Sequence, residues 1–364
     1  MAHVTDLLWH DPACDPLDRV SPSALNVLLG CPKRLAFQRA PETRHWRRHS
    51  PRTALGSVAH KLTELVSTGK APAPPERKEW LEIRWTELVH KEHDDLRQEW
   101  PNRTVPDPKD WPGYVATRVR LIRRLADLPA PKDKTAGHST TGEGSGERPF
   151  PWVERQLEDV PRRLFGTPDR VEERDGRLRV LDLKSGVHQA GISHEQRRQL
   201  LIYAHLVQHT CHRLPDDAVI QDVKGHEDSV TVVPEEMGAV VAEANDAIDV
   251  FNAMVEATTI SAQPDPQVCM WCPFRAVCPE YWTNRTDQWP RLDVRGVVAE
   301  RVGADGVRLD LTTPVGGTST FRVLLTGGVE AAVGDELVVL DLEPAGPGAG
   351  RMRWDSRLRA GSEG

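Results

Sequence analysis

Two periods of apolar residues alternate along the chain. In TALGSVAHKLTELVSTG, Val58, Leu62 and Leu65 recur at helical spacing and Gly69 offers a stop, so an amphipathic helix is predicted there. SPSALNVLLGCPKR is expected to be helical too, and two further helices are expected at about 76 to 100 and 112 to 128. Downstream the period shortens. PWVERQLEDV, RRLFGTPDRVEERDGRLRVLDLKSG, DAVIQDVKG and DSVTVV read as strands, divided by a helix across His194 to His209, and a long helix is expected from Glu235 to about Thr258. From Arg291 onward the short runs RGVVAERV, VRLDLTT, STFRVLLTG and DELVVLDLE are separated by Gly-rich turns.

This pattern predicts an α/β fold, a mixed sheet flanked by helices, with a helical N-terminal region and a small C-terminal β-barrel of the OB-like kind. The expected units are a helical region over 1–128, a flexible Gly/Ser/Pro-rich insertion over 129–149, a sheet-based core with its cysteine-rich close over 150–290, and the barrel over 291–364. No internal repeat and no G-x-x-x-x-G-K-[ST] phosphate loop is present.

Composition narrows the classes. With 38% hydrophobic and 28% charged residues the chain suits a folded, water-soluble protein, not a wholly disordered one. No window approaches the roughly 18 apolar residues of a membrane span, and MAHVTDLLWHDPACDP lacks the basic start and apolar stretch of a signal peptide, so a cytoplasmic location is expected. The net charge of -7 gives no global attraction to a polyanion, so nucleic-acid contact would have to be local. Residues 31–52 offer Lys33, Arg34, Arg39, Arg44, Arg47, Arg48 and Arg52 against the single acid Glu42, with Phe37 and Trp46 among them. That mixture suits phosphate and base contact, and equally a solvated basic face.

Candidate chemistry sits in GTPDRVEERDGRLRVLDLKSG. Asp175-Gly176 is a favoured two-residue hairpin turn, and a turn there pairs Arg174 with Arg177. The same register sets Asp169 opposite Asp182, with Cβ atoms roughly 4.5 to 5.5 Å apart. Two facing carboxylates are destabilising unless a cation lies between them, and a divalent ion with oxygen ligands is the natural occupant. Lys184, two residues beyond Asp182, projects from the same face, while Leu181 and Leu183 turn to the other. An ammonium in that position can stabilise charge developing on a phosphate. The alternative is a pair of solvated aspartates flanked by Arg170 and Lys184.

Thr167-Pro168-Asp169 followed by Asp182-Leu183-Lys184 resembles the signature of the PD-(D/E)XK nuclease superfamily. Gly56 to His60 in GSVAH and Gln199 with Tyr203 in QLLIYA resemble the G-x-x-x-H and Q-x-x-x-Y helices of its RecB-like branch, which includes the AddB-type and CRISPR-associated iron-sulfur exonucleases. The resemblance covers about residues 20 to 285 and implies a restriction-endonuclease-like core. It implies that His60, Asp169, Asp182 and the Leu183 carbonyl ligate Mg2+ or Mn2+, and that Lys184 serves the attacking water. Glu154 would assist through a water, and Gln199 and Tyr203, one helical turn apart, would reach the phosphate or brace the lysine. Taken singly, His60 equally suits a packed histidine and Tyr203 a core position.

Of six cysteines, Cys14 and Cys211 look incidental, and Cys269, Cys272 and Cys278 form C-x2-C-x5-C. The resemblance implies that Cys31 joins those three around a 4Fe-4S cluster that staples the early helices to the late segment. A zinc ion on the same four thiolates and four buried free thiols are the alternatives. The expected function is therefore a metal-dependent DNA nuclease acting on single-stranded or frayed ends, with DNA as the partner, in repair, recombination or phage defence. The competing expectations are a non-catalytic iron-sulfur subunit holding DNA for a helicase partner, and a hydrolase of another phosphodiester.

Overall fold

The computed structural model describes residues 12–47, 49–100, 104–128, 150–184, 191–222, 224–303, 306–312, 318–325, 331–353, 355–356 and 358–360. The insertion expected over 129–149 lies outside the described residues. SPSALNVLLGCPKR, expected to be helical throughout, is two helices. The first, α1 (Pro22–Gly30), starts from the Ser21 side chain, which accepts from the Ala24 N–H, and α2 (Pro32–Arg39) follows. Between them Cys31 is extended (φ -168°, ψ 105°) because the proline that follows it disfavours helical backbone at the preceding residue. The result is a corner with a cysteine at its apex.

A reciprocal Ser50–Thr53 capping box starts α3 (Pro51–Ser67), which packs with α4 (Arg77–Glu99) and α5 (Tyr114–Ala126) around a core that includes Val58, Leu62, Trp85 and Leu121. PWVERQLEDV, expected as one strand, is two: β1 (Trp152–Val153) and β2 (Leu157–Asp159), broken where Glu154 takes a left-handed φ of 49°. Then follow β3 (Leu164–Gly166), β4 (Arg170–Arg174), β5 (Arg177–Lys184), α6 (His194–Cys211), β6 (Asp217–Asp222), β7 (Glu227–Thr231) and α7 (Pro234–Glu256). β2 pairs with β3, and the remaining strands form a mixed sheet ordered β1-β4-β5-β6-β7. Only β5 and β6 run parallel within it, and α6 is the crossover that such a pair needs. The buried faces of α1, α6 and α7 close over the sheet through Leu25, Leu206, Ile248 and Phe251.

The cysteine-rich segment holds α8 (Pro266–Cys269) and α9 (Pro279–Asn284). Beyond it come β8 (Val294–Arg301), β9 (Gly306–Thr312), β10 (Thr318–Leu324), β11 (Glu336–Val339), β12 (Glu343–Pro344), β13 (Ala349–Arg351) and β14 (Leu358–Ala360), in the order β12-β13-β10-β9-β8-β11-β14. These seven strands form the C-terminal half-barrel sheet; among the described residues no ladder joins β12 to β14. Both edge strands are short, and β12 ends in a proline, which has no N–H for a closing ladder.

The basic segment is also corrected. Phe37 stacks on Phe274 with ring centroids 5.4 Å apart, and Phe37 and Trp46 lie in a buried cluster with Cys272, Val338 and Leu340. Lys33 is buried and ion-paired with Glu280. These rings tie the early helices to the cysteine loop and the C-terminal sheet, so neither is available to stack on a base. No helix among the described residues is long and apolar enough to cross a membrane.

Candidate metal centre and cysteine site

Asp175 and Gly176 both hold positive φ (55° and 78°), the conformation that a two-residue hairpin loop demands, and Arg174 pairs with Arg177. The ladder ends at Arg170 opposite Leu181, and Asp169 and Asp182 are the residues next to that last pair on their two chains. On the other side, Val153 pairs with Arg170 and the Glu154 N–H donates to the Asp169 carbonyl at 3.2 Å. Glu154, Asp169 and Asp182 thus stand on consecutive positions across three strands at one end of the sheet.

His60 reaches this row from α3, with Nδ1 3.3 Å from Asp169 Oδ1. One ligand atom each from His60, Glu154 and Asp169 lie within 4.8 Å of one another. Asp182 stands beside this group and outside it. Its Oδ1 accepts from Gln199 Nε2 at 2.8 Å, and Lys184 Nζ touches its Oδ2 at 2.7 Å. The sequence puts Asp169 and Asp182 at the centre with Glu154 assisting; the compact group instead contains Glu154. Asp169 spends Oδ2 on the Leu183 N–H at 2.5 Å, and Asp182 is turned onto α6.

The electrostatics follow from this crowding. Desolvation in the groove, and then the Asp169 charge, push Glu154 up to about 7 although its side chain still meets solvent. Burial raises Asp182 above the usual carboxylate range against the opposing pull of Lys184. His60 is raised by its hydrogen bond to Asp169, which outweighs partial burial. Three carboxylates and an imidazole gathered at one end of the sheet are a donor set for a hard divalent cation.

α6 braces the row. Gln199 Nε2 also donates to Tyr203 Oη at 3.3 Å, and burial raises the Tyr203 hydroxyl to about 12. Gly166 makes this packing possible: a Cβ there would lie 2.9 Å from Tyr203 Cε1 and 3.3 Å from Leu206. Leu183 lines a pocket with His60, Lys184 and Arg124. Arg124, which sequence reading did not single out, is anchored by Gln221 Oε1 at 2.6 Å and the Asp222 carbonyl at 3.0 Å. The arginine-rich run of α5 was its only signal. A wider open groove runs from His60, Glu154 and Asp169 along Gly56 and Ser57 to Arg52.

Cys31, Cys269, Cys272 and Cys278 line one pocket together with Arg34 and Phe37. Cys31 comes from the α1–α2 corner and the other three from the late loop, so the cavity joins segments far apart in sequence. Burial raises Cys269, Cys272 (to about 11) and Cys278, so a metal would enter by displacing protons. Among the described residues, no three of these sulfurs lie within 4.8 Å of one another. Arg275 locks the loop. Its Nη1 donates to the carbonyls of Cys269 (3.2 Å), Met270 (3.1 Å) and Cys272 (2.8 Å), while Nε reaches Asp293 and Nη2 Asp341, both at 2.7 Å.

The family model of the PD-(D/E)XK nuclease superfamily matches residues 19–279. No curated protein matches the chain. Among solved structures, a protein from Eubacterium rectale described as a putative exonuclease superposes with a TM-score of 0.38 at 10% identity, over 75% of this chain and 90% of that one.

Proposed function

This chain belongs to the PD-(D/E)XK nuclease superfamily, and on that premise we propose that it is a divalent-metal-dependent deoxyribonuclease of the RecB-like type, an exonuclease on single-stranded or frayed ends. The observation that carries the proposal is the row of His60, Glu154 and Asp169 within 4.8 Å, with the Asp182–Lys184 pair beside it. His60, Glu154, Asp169 and Asp182 would hold Mg2+ or Mn2+, which when bound polarises the scissile phosphate and favours attack by water. The remaining work belongs to the chain. Lys184 holds its ammonium beside Asp182, where it offsets charge building on the phosphate oxygens. Gln199 and Tyr203 fix the orientation of Asp182, and Arg124 lines the same pocket as Lys184 with a second permanent positive charge.

Cys31, Cys269, Cys272 and Cys278 would hold a 4Fe-4S cluster that staples the α1–α2 corner to the late loop. A zinc ion on the same four thiolates is the alternative occupant. Brown protein with a broad visible absorption supports iron; colourless protein with stoichiometric zinc would refute it.

Incubation of linear and circular DNA with Mg2+, with Mn2+ and with chelator tests the activity. Degradation of linear DNA alone, abolished by chelator, is expected. Cleavage of covalently closed circles would contradict the exonuclease mode, and undiminished cleavage in chelator would contradict the metal.

A further inference from the structure

The loop between Cys269 and Cys272 is held unusually hard and yet presents an apolar ring to water. The carbonyls of residues 269, 270 and 272 all accept from the buried Arg275 guanidinium, so the backbone on both sides of residue 271 is fixed. Trp271 itself is 57% exposed, the one aromatic among the exposed large hydrophobic residues of the described structure. The Arg291 guanidinium lies 5.1 Å from its ring centroid. Arg291 Nη1 is 3.5 Å from Asp341, and its Nε is shielded from solvent without a hydrogen-bond acceptor.

An exposed tryptophan leaves a large apolar surface wet, and a rigid backbone removes the entropic cost of ordering it when something binds. A planar ring with an arginine over one face can hold an unpaired base: the exposed part of the ring offers a stacking surface to any of the bases, and the guanidinium offers positive charge to the adjoining phosphate. The two aromatic residues of the basic segment that looked suited to this task, Phe37 and Trp46, are buried in the core.

We propose that Trp271, flanked by Arg291, is a stacking platform for one unpaired base of a single nucleic-acid strand, displayed by the cysteine loop apart from the carboxylate row. The choice of nucleic acid as ligand rests on the nuclease reading above, but stacking needs no turnover.

The test is equilibrium binding, by fluorescence anisotropy without added divalent ion, of a single-stranded oligonucleotide and of an abasic strand of equal length. Wild type, Trp271→Ala and Trp271→Phe are compared, with thermal melts to establish that all three fold. Stacking contributes about 1–3 kcal/mol per base, so Trp271→Ala is expected to weaken binding of the normal strand by roughly 5- to 150-fold. Trp271→Phe should retain most of the affinity, and all three proteins should bind the abasic strand alike. Equal binding of the normal strand by wild type and Trp271→Ala overturns the proposal, as does an equal loss on both strands or the absence of binding by wild type. Unchanged strand binding with loss of self-association in sedimentation would assign Trp271 to a protein interface, and also overturns it. Trp271-dependent binding by a protein that fails to cleave DNA in Mg2+ would sink the nuclease reading and leave this one standing.

Discussion

Glu154 holds a left-handed φ of 49°, a conformation that costs a non-glycine residue roughly 1–3 kcal/mol and persists where surroundings impose it. That backbone state ends β1 and leaves the carboxylate within reach of Asp169 and His60. The alternating pattern of PWVERQLEDV concealed the break, and the assisting place expected for Glu154 came from the family resemblance alone. Replacing it with glutamine keeps the shape and removes a charge. Glu154→Gln is expected to weaken Mn2+ binding by about tenfold or more, read by titration calorimetry; unchanged affinity would exclude Glu154 from the ion's shell. Gly166 makes a different demand, because its missing Cβ is the space that the Tyr203 ring occupies. Gly166→Ala should overpack that contact and cost about 1–3 kcal/mol, seen as a lower urea midpoint with an unchanged slope.

Among the elements, those with strong local signals were legible. The Asp-Gly turn specified the β4–β5 register, from Arg174 opposite Arg177 to Arg170 opposite Leu181. Helices α3, α6 and α7 lie within a few residues of the ranges expected from the apolar pattern. What escaped depended on partners distant in sequence. The burial of Phe37 and Trp46 comes from Phe274 and Leu340, more than two hundred residues away, and no local pattern announces it. Within the hairpin, Gly176 sits at φ 78°, so Gly176→Ala should destabilise the fold by about 1 kcal/mol, measured by chemical denaturation. A neutral result would mean that the turn does not set the register.

Across the whole molecule, Arg275 joins the cysteine loop to the C-terminal sheet, since Asp293 precedes β8 and Asp341 follows β11. Burial alone would lower the Arg275 pKa, but Asp293 and Asp341 more than reverse that; Asp293 is depressed by Arg275 and by donors from Tyr281 and the Asp341 N–H, against its own burial. Arg275→Met leaves a buried carboxylate without its cation and should cost about 3–5 kcal/mol, with amide protection falling in the loop and in β8 and β11 together. Because Asp293 has a folded pKa below its unfolded one, its stabilisation is full above the ordinary carboxylate range and is lost as pH falls through the depressed value. The melting-temperature advantage of wild type over Asp293→Asn should therefore be largest near neutrality and shrink toward acid; an advantage that grows toward acid would contradict the ion-pair network. The central claim is that the carboxylate row holds an ion and that Lys184 converts the held ion into hydrolysis. Mn2+ binding and hydrolysis of linear single-stranded DNA, measured side by side on wild type, Asp169→Asn and Lys184→Ala, test it most directly. Asp169→Asn should lose both, and Lys184→Ala should keep the ion while its hydrolysis falls by at least about a hundredfold; hydrolysis at the wild-type rate by either variant would contradict the account.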